Sequence, residues 1–177
     1  EQFKEDWNRV LNHIANLFYE DSVIQFTKDG ANMSISFEHG IADDYTISTA
    51  AKLIVDGQEF TSSYSIGYAT EGTEKEQSIR MKRALSHVML DVLEQYTGMT
   101  QQWGILTGVR PTKLYHKFRK EGLSEEQIFE KLKTDFRLSD LKINLLKEIV
   151  ARQLHVIPDL NELGREISIY IGVPFCP

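Results

Sequence analysis

The stretch at residues 45–68, YTISTAAKLIVDGQEFTSSYSIGY, decides the fold, because two runs with an apolar period of two meet at an Asp-Gly pair. In the first run Tyr45, Ile47, Ala51, Leu53 and Val55 share one face, and in the second Phe60, Tyr64, Ile66 and Tyr68 do. A two-residue hairpin turn that matches the strand twist needs positive φ at its central residues, which Asp and Gly tolerate. Asp56-Gly57 therefore predicts a β-hairpin. The same alternation runs upstream, where Met33, Ile35 and Phe37 are interleaved with Ser34, Ser36 and Glu38. Residues 23–27 read as a weaker fourth strand.

Helical periodicity flanks these strands on both sides. FKEDWNRVLNHIANLF, residues 3–18, sets Phe3, Trp7, Val10, Leu11, Ile14, Leu17 and Phe18 on one stripe. TEKEQSIRMKRALSHVMLDVLEQY, residues 73–96, carries a broad apolar face of Ile79, Ala84, Leu85, Val88, Met89, Val92, Leu93 and Tyr96. One helix before the strands and one after predict an α+β, two-layer sandwich over residues 1–102. It has a four-stranded, mainly antiparallel sheet with both helices on one face, so that Ser34, Ser36 and Glu38 point to solvent.

Three shorter helices follow, predicting a small helical module over residues 103–160. Pro111 suits a first helical turn and Gly122 a left-handed exit. Ser124 and Gln127 form a capping-box pattern, with Leu123 and Ile128 placed for a hydrophobic staple. Ser139 caps a third helix whose Leu145, Leu146, Ile149, Val150 and Leu154 are expected inside, and Pro158 closes it. The last segment, residues 161–177, contains a nearly continuous apolar run, ISIYIGV, of strand length. Such a run suits a strand covered on both faces of a parallel sheet. A parallel strand needs a crossover of a dozen or more residues to its neighbour. The segment is therefore expected to be the first strand of a further domain in a longer protein.

With 177 residues, 41% hydrophobic and 26% charged, the chain can bury a sizeable core. No apolar run is long enough to span a bilayer, and the acidic, amphipathic start is unlike a secretory signal, so a cytoplasmic protein is expected. One cysteine excludes an intramolecular disulfide framework. The net charge of −6 is unevenly spread: residues 1–102 hold eight Lys/Arg against sixteen Asp/Glu, and residues 103–177 hold twelve against ten. The two parts are expected to meet different partners.

Two stretches carry chemistry. Cys176, the single cysteine, reads from the residues alone either as an inert thiol or as a reactive one. Residues 104–120, GILTGVRPTKLYHKFRK, place Arg110 and Lys113 at a helix start, where free N–H groups and the helix dipole favour an anion. From Arg110 to Lys120 there are five Lys/Arg and no acid. A solvated face, an anion site, and a footprint for nucleic acid or an acidic partner all fit, with nucleic acid the least favoured because interleaved exposed aromatics are missing. His13, His39, His87, His116 and His155 lack metal-ligand spacing, and Asp43-Asp44 reads as a turn.

SIYIGVPFCP, residues 168–177, resembles the entry to the barrel of radical SAM enzymes of the oxygen-independent coproporphyrinogen III oxidase type. There a Tyr-x-x-x-Pro-Phe-Cys stretch begins a Cys-x3-Cys-x2-Cys motif. WGILTGVRPTKL, residues 103–114, is similar to a segment of the HemZ-type subgroup, which carries an extra N-terminal region before the barrel. The resemblance implies a [4Fe–4S] cluster and S-adenosylmethionine in the longer protein, with Cys176 the first cluster thiolate and Tyr170 near the bound S-adenosylmethionine. It also implies coproporphyrinogen III or another porphyrin as substrate, its propionates oxidatively decarboxylated to vinyls. Gly172 stands where the best-known members carry histidine. Within residues 1–177 it implies no catalytic residue and no bound cofactor, but a region that positions substrate, docks a partner or gates the barrel.

Overall fold

A computed structural model describes residues 2–20, 24, 33–42, 44–106 and 110–158, with side chains from residue 7 onward. The element order is α1 (Gln2–Ala15), β1 (Met33–Ile41), β2 (Ile47–Val55), β3 (Gln58–Ile66), α2 (Glu74–Thr97), α3 (Pro111–Lys120), α4 (Glu125–Phe136) and α5 (Asp140–Val156). The place of Phe3 in the α1 stripe, Gly108, and the C-terminal strand with Tyr170 and Cys176 lie outside the described residues.

The hairpin forms as its turn chemistry requires. Asp56 and Gly57 have φ of 50° and 77°, and Val55 pairs with Gln58. Among the described residues the sheet has three antiparallel strands in the order β1-β2-β3, where the sequence predicted four. Most of the expected fourth strand lies outside the described residues; Ile24, which is described, is in no strand and packs its side chain on the sandwich core. Tyr45 also departs from expectation. It precedes β2, is exposed, and has a φ of 61°, because the chain turns there from β1 into β2. Thr49 takes an inward position that the apolar pattern passed over, and it is buried with its hydroxyl 2.9 Å from His39 Nδ1. That bond offsets the cost of burying a hydroxyl.

One face of the sheet carries the core. Leu11, Ile14 and Ala15 of α1 join Ala51, Leu53 and Val55 of β2 and Leu85, Val88, Met89, Leu90, Val92 and Leu93 of α2. Fully burying such a side chain contributes about 1.5–3 kcal/mol. Ser34, Ser36 and Glu38 lie on the exposed face, as predicted. Helix α2 begins in a capping box between Thr73 and Glu76 and ends at Gly98 with φ 69°. Its buried surface is wider than one stripe: Ser86, His87 and Leu90 are also inside, while Ile79 is half exposed. The sheet, α1 and α4 all pack against it, and Ile79 lies before the stretch they cover.

The second core is local. Tyr115, Phe118, Ile128, Leu132, Leu138, Ile143, Leu146 and Val150 cluster among the last three helices. Pro111 opens α3, Gly122 follows its end at φ 85°, Ser124 and Gln127 cap α4 reciprocally, and Ser139 accepts from Lys142 N at the start of α5. On α5 the buried stripe is Ile143, Leu146 and Val150; Leu145 is exposed, although the sequence placed it inside. Leu141 and Leu145 offer a second apolar stripe, so periodicity alone left two rotations of the helix open.

Candidate functional site

The predicted anion site is at the start of α3. Arg110 is its N-cap residue, extended at φ −81° and ψ 100°, and makes no side-chain cap bond. Pro111 fills the first helical position, where a missing N–H costs nothing. Arg110 and Lys113 are both exposed, and the first turn holds no acid, so the helix end keeps a positive field. Further along, the basic run is partly neutralised. Lys117 lies 3.6 Å from Glu121, and Arg119 forms an ion pair with Glu125. Glu125 also accepts from the Tyr115 hydroxyl; burial, then this bond, push the Tyr115 phenol well above its usual range. His116, on the same helix, faces α5 with Nε2 2.9 Å from Gln153 Oε1.

A second polar centre, which sequence reasoning did not find, lies where the two cores meet. Arg137 caps α4 in the left-handed conformation at φ 59°, a position that glycine usually fills. From there its guanidinium reaches across to α2, donating to Glu94 at 2.7 Å, Asp91 at 3.2 Å and the His87 carbonyl at 3.2 Å. His87 returns the contact. Its Nε2–H donates to the Asp135 carbonyl at 2.9 Å, and its ring stacks on Tyr64 at 4.0 Å and 19°. The Asp135 carboxylate holds Lys131 at 2.9 Å and Arg83 at 3.4 Å. Burial, the largest cause, lowers the His87 pKa, and Arg137 and Arg83 add to the effect.

Ser62, Ser63, Tyr64, His87, Asp91, Thr134 and Arg137 line a cleft of about 260 Å³ at this junction. Its charged groups are paired with one another, so the arrangement clasps two bodies and does not present a poised acid, base or nucleophile. The 87, 91, 94 spacing on α2 is a legible polar stripe, whereas an arginine in a glycine-type cap carries no sequence signal.

The connecting segment is fixed beside the clasp. Ile105 N donates to Phe136 O and Ser139 N to Gln102 O, each at 3.0 Å. Gly104, at φ 54°, lies so close to this strand-like seam that an added Cβ would fall inside the carbonyl oxygens of Phe136 and Arg137. Trp103 packs on the second core, with Lys142 Nζ 5.1 Å from its ring. Among the described residues no group of three His, Cys, Asp or Glu could hold a metal ion, and no helix is long and apolar enough to cross a membrane.

No family model and no solved structure matches the chain. The oxygen-independent coproporphyrinogen-III oxidase-like protein HemZ of Bacillus subtilis (strain 168) is 42% identical to it over 172 residues, which are 96% of this chain and 34% of that protein. The chain thus spans about a third of the length of the curated relative it matches. The resemblance carried in the sequence by residues 103–114 and 168–177 therefore extends over nearly the whole chain, which is similar throughout to part of a HemZ-type, oxygen-independent coproporphyrinogen-III oxidase-like protein.

Proposed function

We propose that residues 1–177 are the N-terminal part of a HemZ-like radical SAM protein acting in porphyrin and heme biosynthesis. Its reaction would be the oxidative decarboxylation of coproporphyrinogen propionates to vinyls. The 42% identity over 96% of the chain is the observation that supports this reading. In it, residues 1–102 form the sandwich, 103–160 the helical module and 161–177 the opening of the barrel. Cys176 would supply the first of three thiolates to a [4Fe–4S] cluster, and Tyr170 would lie near S-adenosylmethionine. A single cysteine cannot hold that cluster. The chain alone is accordingly silent in catalysis, and residues 1–166 position substrate, dock a partner or gate access.

The test is made on the longer protein, reconstituted anaerobically with iron and sulfide, by counting 5′-deoxyadenosine per protein with and without Cys176→Ala. Formation that the substitution abolishes is expected. Formation that survives it would remove Cys176 from the cluster. The competing reading, a module for nucleic acid or an acidic partner along residues 110–120, has less support, because Lys117 and Arg119 already have carboxylate partners. Binding through phosphate contacts would have to weaken steeply with salt.

A further inference from the structure

A cavity of about 350 Å³ opens at the end of the sandwich remote from the Asp56-Gly57 turn, where β1 turns into β2 and the chain enters α2. Its walls combine two kinds of surface. Ile41, Tyr45 and Ile47 are apolar, with Ile41 51% and Tyr45 38% exposed. Arg80 and Gln77 of α2 bring hydrogen-bond donors, and Glu71 brings a carboxylate.

Arg80 is held in place before any ligand arrives. Its Nη1 donates to Thr70 O at 2.8 Å and Glu71 O at 3.0 Å, and its guanidinium lies 3.9 Å over the Tyr68 ring. Gly72, at φ 76°, leaves the room for this: an added Cβ would sit 3.1 Å from the guanidinium carbon. Both fixed bonds use one nitrogen and neutral acceptors. Among the described residues no carboxylate lies within ion-pair distance of Arg80, in contrast to Arg83, Arg119 and Arg137; Glu76, one turn earlier, feels its charge but is bonded to Thr73. A positioned guanidinium with donors to spare suits a carboxylate, which it can bind with two parallel hydrogen bonds.

Tyr45 points to the same conclusion by a different route. It holds a φ of 61°, a conformation that glycine adopts freely and a bulky side chain at a cost. Tyr45 N–H bonds to Ala42 O at 3.0 Å, and Thr46 N–H bonds to Asp44 Oδ1 at 3.0 Å, so the turn would form equally well with glycine. The ring is thus costly to the turn, yet it lines the cavity.

We infer that this cavity binds a small ligand with an apolar body and a carboxylate, the body against Ile41, Tyr45 and Ile47 and the carboxylate on Arg80. The assignment does not rest on the radical SAM reading. Glu71, on the same wall, opposes an anion and tunes the affinity downward.

The test is an NMR titration of the ¹⁵N-labelled chain with 3-phenylpropionate and, as neutral counterpart, 3-phenylpropanamide. Shifts confined to residues 41–47 and 70–80 are expected, with the acid at least about tenfold tighter than the amide, the range of a charge-assisted contact. Tyr45→Gly should abolish binding while the Tm holds or rises, and Glu71→Gln should tighten the acid alone. Arg80→Gln should bring acid and amide level. Absent or scattered shifts at millimolar probe, equal binding of acid and amide, or a Tyr45→Gly chain that binds as the parent does would each overturn the assignment.

Discussion

The two cores are built on different principles. The sandwich joins residues far apart in sequence: Leu11 of α1, Leu53 of β2 and Leu90 of α2 meet in one cluster that closes only when the hairpin and both helices are in place. The helical module is local, its eight buried residues falling between Tyr115 and Val150 and its helices delimited by Ser124, Gly122 and Ser139. Local closure costs less chain entropy. The difference teaches that the module has an order of its own, whereas its placement on the sandwich depends on the polar contacts that Arg137, His87 and the Arg83–Asp135 pair make across the junction and on the hydrogen-bonded seam at Gly104.

The chain has two tryptophans, and each reports one core: Trp7 packs on the first and Trp103 on the second. In urea both are expected to follow one transition, coupled through α2 and the clasp. The most severe challenge to the comparison is Leu132→Ala, which empties a fully buried site in the module and should cost about 2–5 kcal/mol. The Trp103 transition is expected to move most. If the Trp7 transition moved just as far, the module would have no order of its own.

Arg137→Ala comes next, at about 1–3 kcal/mol, since it takes the cation away from Asp91 and from the half-buried Glu94, which keeps only the Gln101 N–H as donor. It should separate the two tryptophan transitions. Arg137→Gly should fall short of that loss, because glycine takes the left-handed cap without strain. Ser139→Ala is milder, about 1 kcal/mol from a lost N-cap, and, with the clasp intact, should shift the shared transition equally at both tryptophans.

The finest probe is pH. Burial depresses the His87 pKa, so the folded chain keeps the ring uncharged to lower pH than the unfolded chain does. As pH falls below the unfolded value of about 6.5, the unfolded chain binds the proton first and stability is lost. His39, also depressed by burial, adds to the slope. His87→Gln should flatten Tm against pH between about 7 and 5. An unchanged slope would assign the pH dependence to groups outside the junction.

What the sequence made legible is what local chemistry dictates. Asp56-Gly57 gave the hairpin because turn and strand pattern agree, and Pro111, Ser124 with Gln127, and Ser139 gave three helix starts because each satisfies free backbone groups in its own turn. Burial that depends on distant partners was not legible. Leu90 and His87 are inside because α2 is covered on several sides, and Thr49 is inside because His39 meets its hydroxyl. The same division holds for the candidate site. The positive charge of α3 was plain, but the pairing of Arg119 with Glu125 requires knowing that the chain doubles back at Gly122. Tyr170 and Cys176 rest on resemblance alone.

Gly104 carries a consequence for how this chain can change. Because the segment around it is stitched to the α4–α5 corner through Ile105 and Ser139, the connection behaves as a weld and not as a tether. Extra residues at 99–100, before the seam, would only lengthen an exposed loop. One residue inserted at 103–105 would shift the stitch by a position, turn Trp103 off its core and swing the whole module as a lever about α2. Length variation in this part of the chain is therefore expected on one side of Gln102 and forbidden on the other.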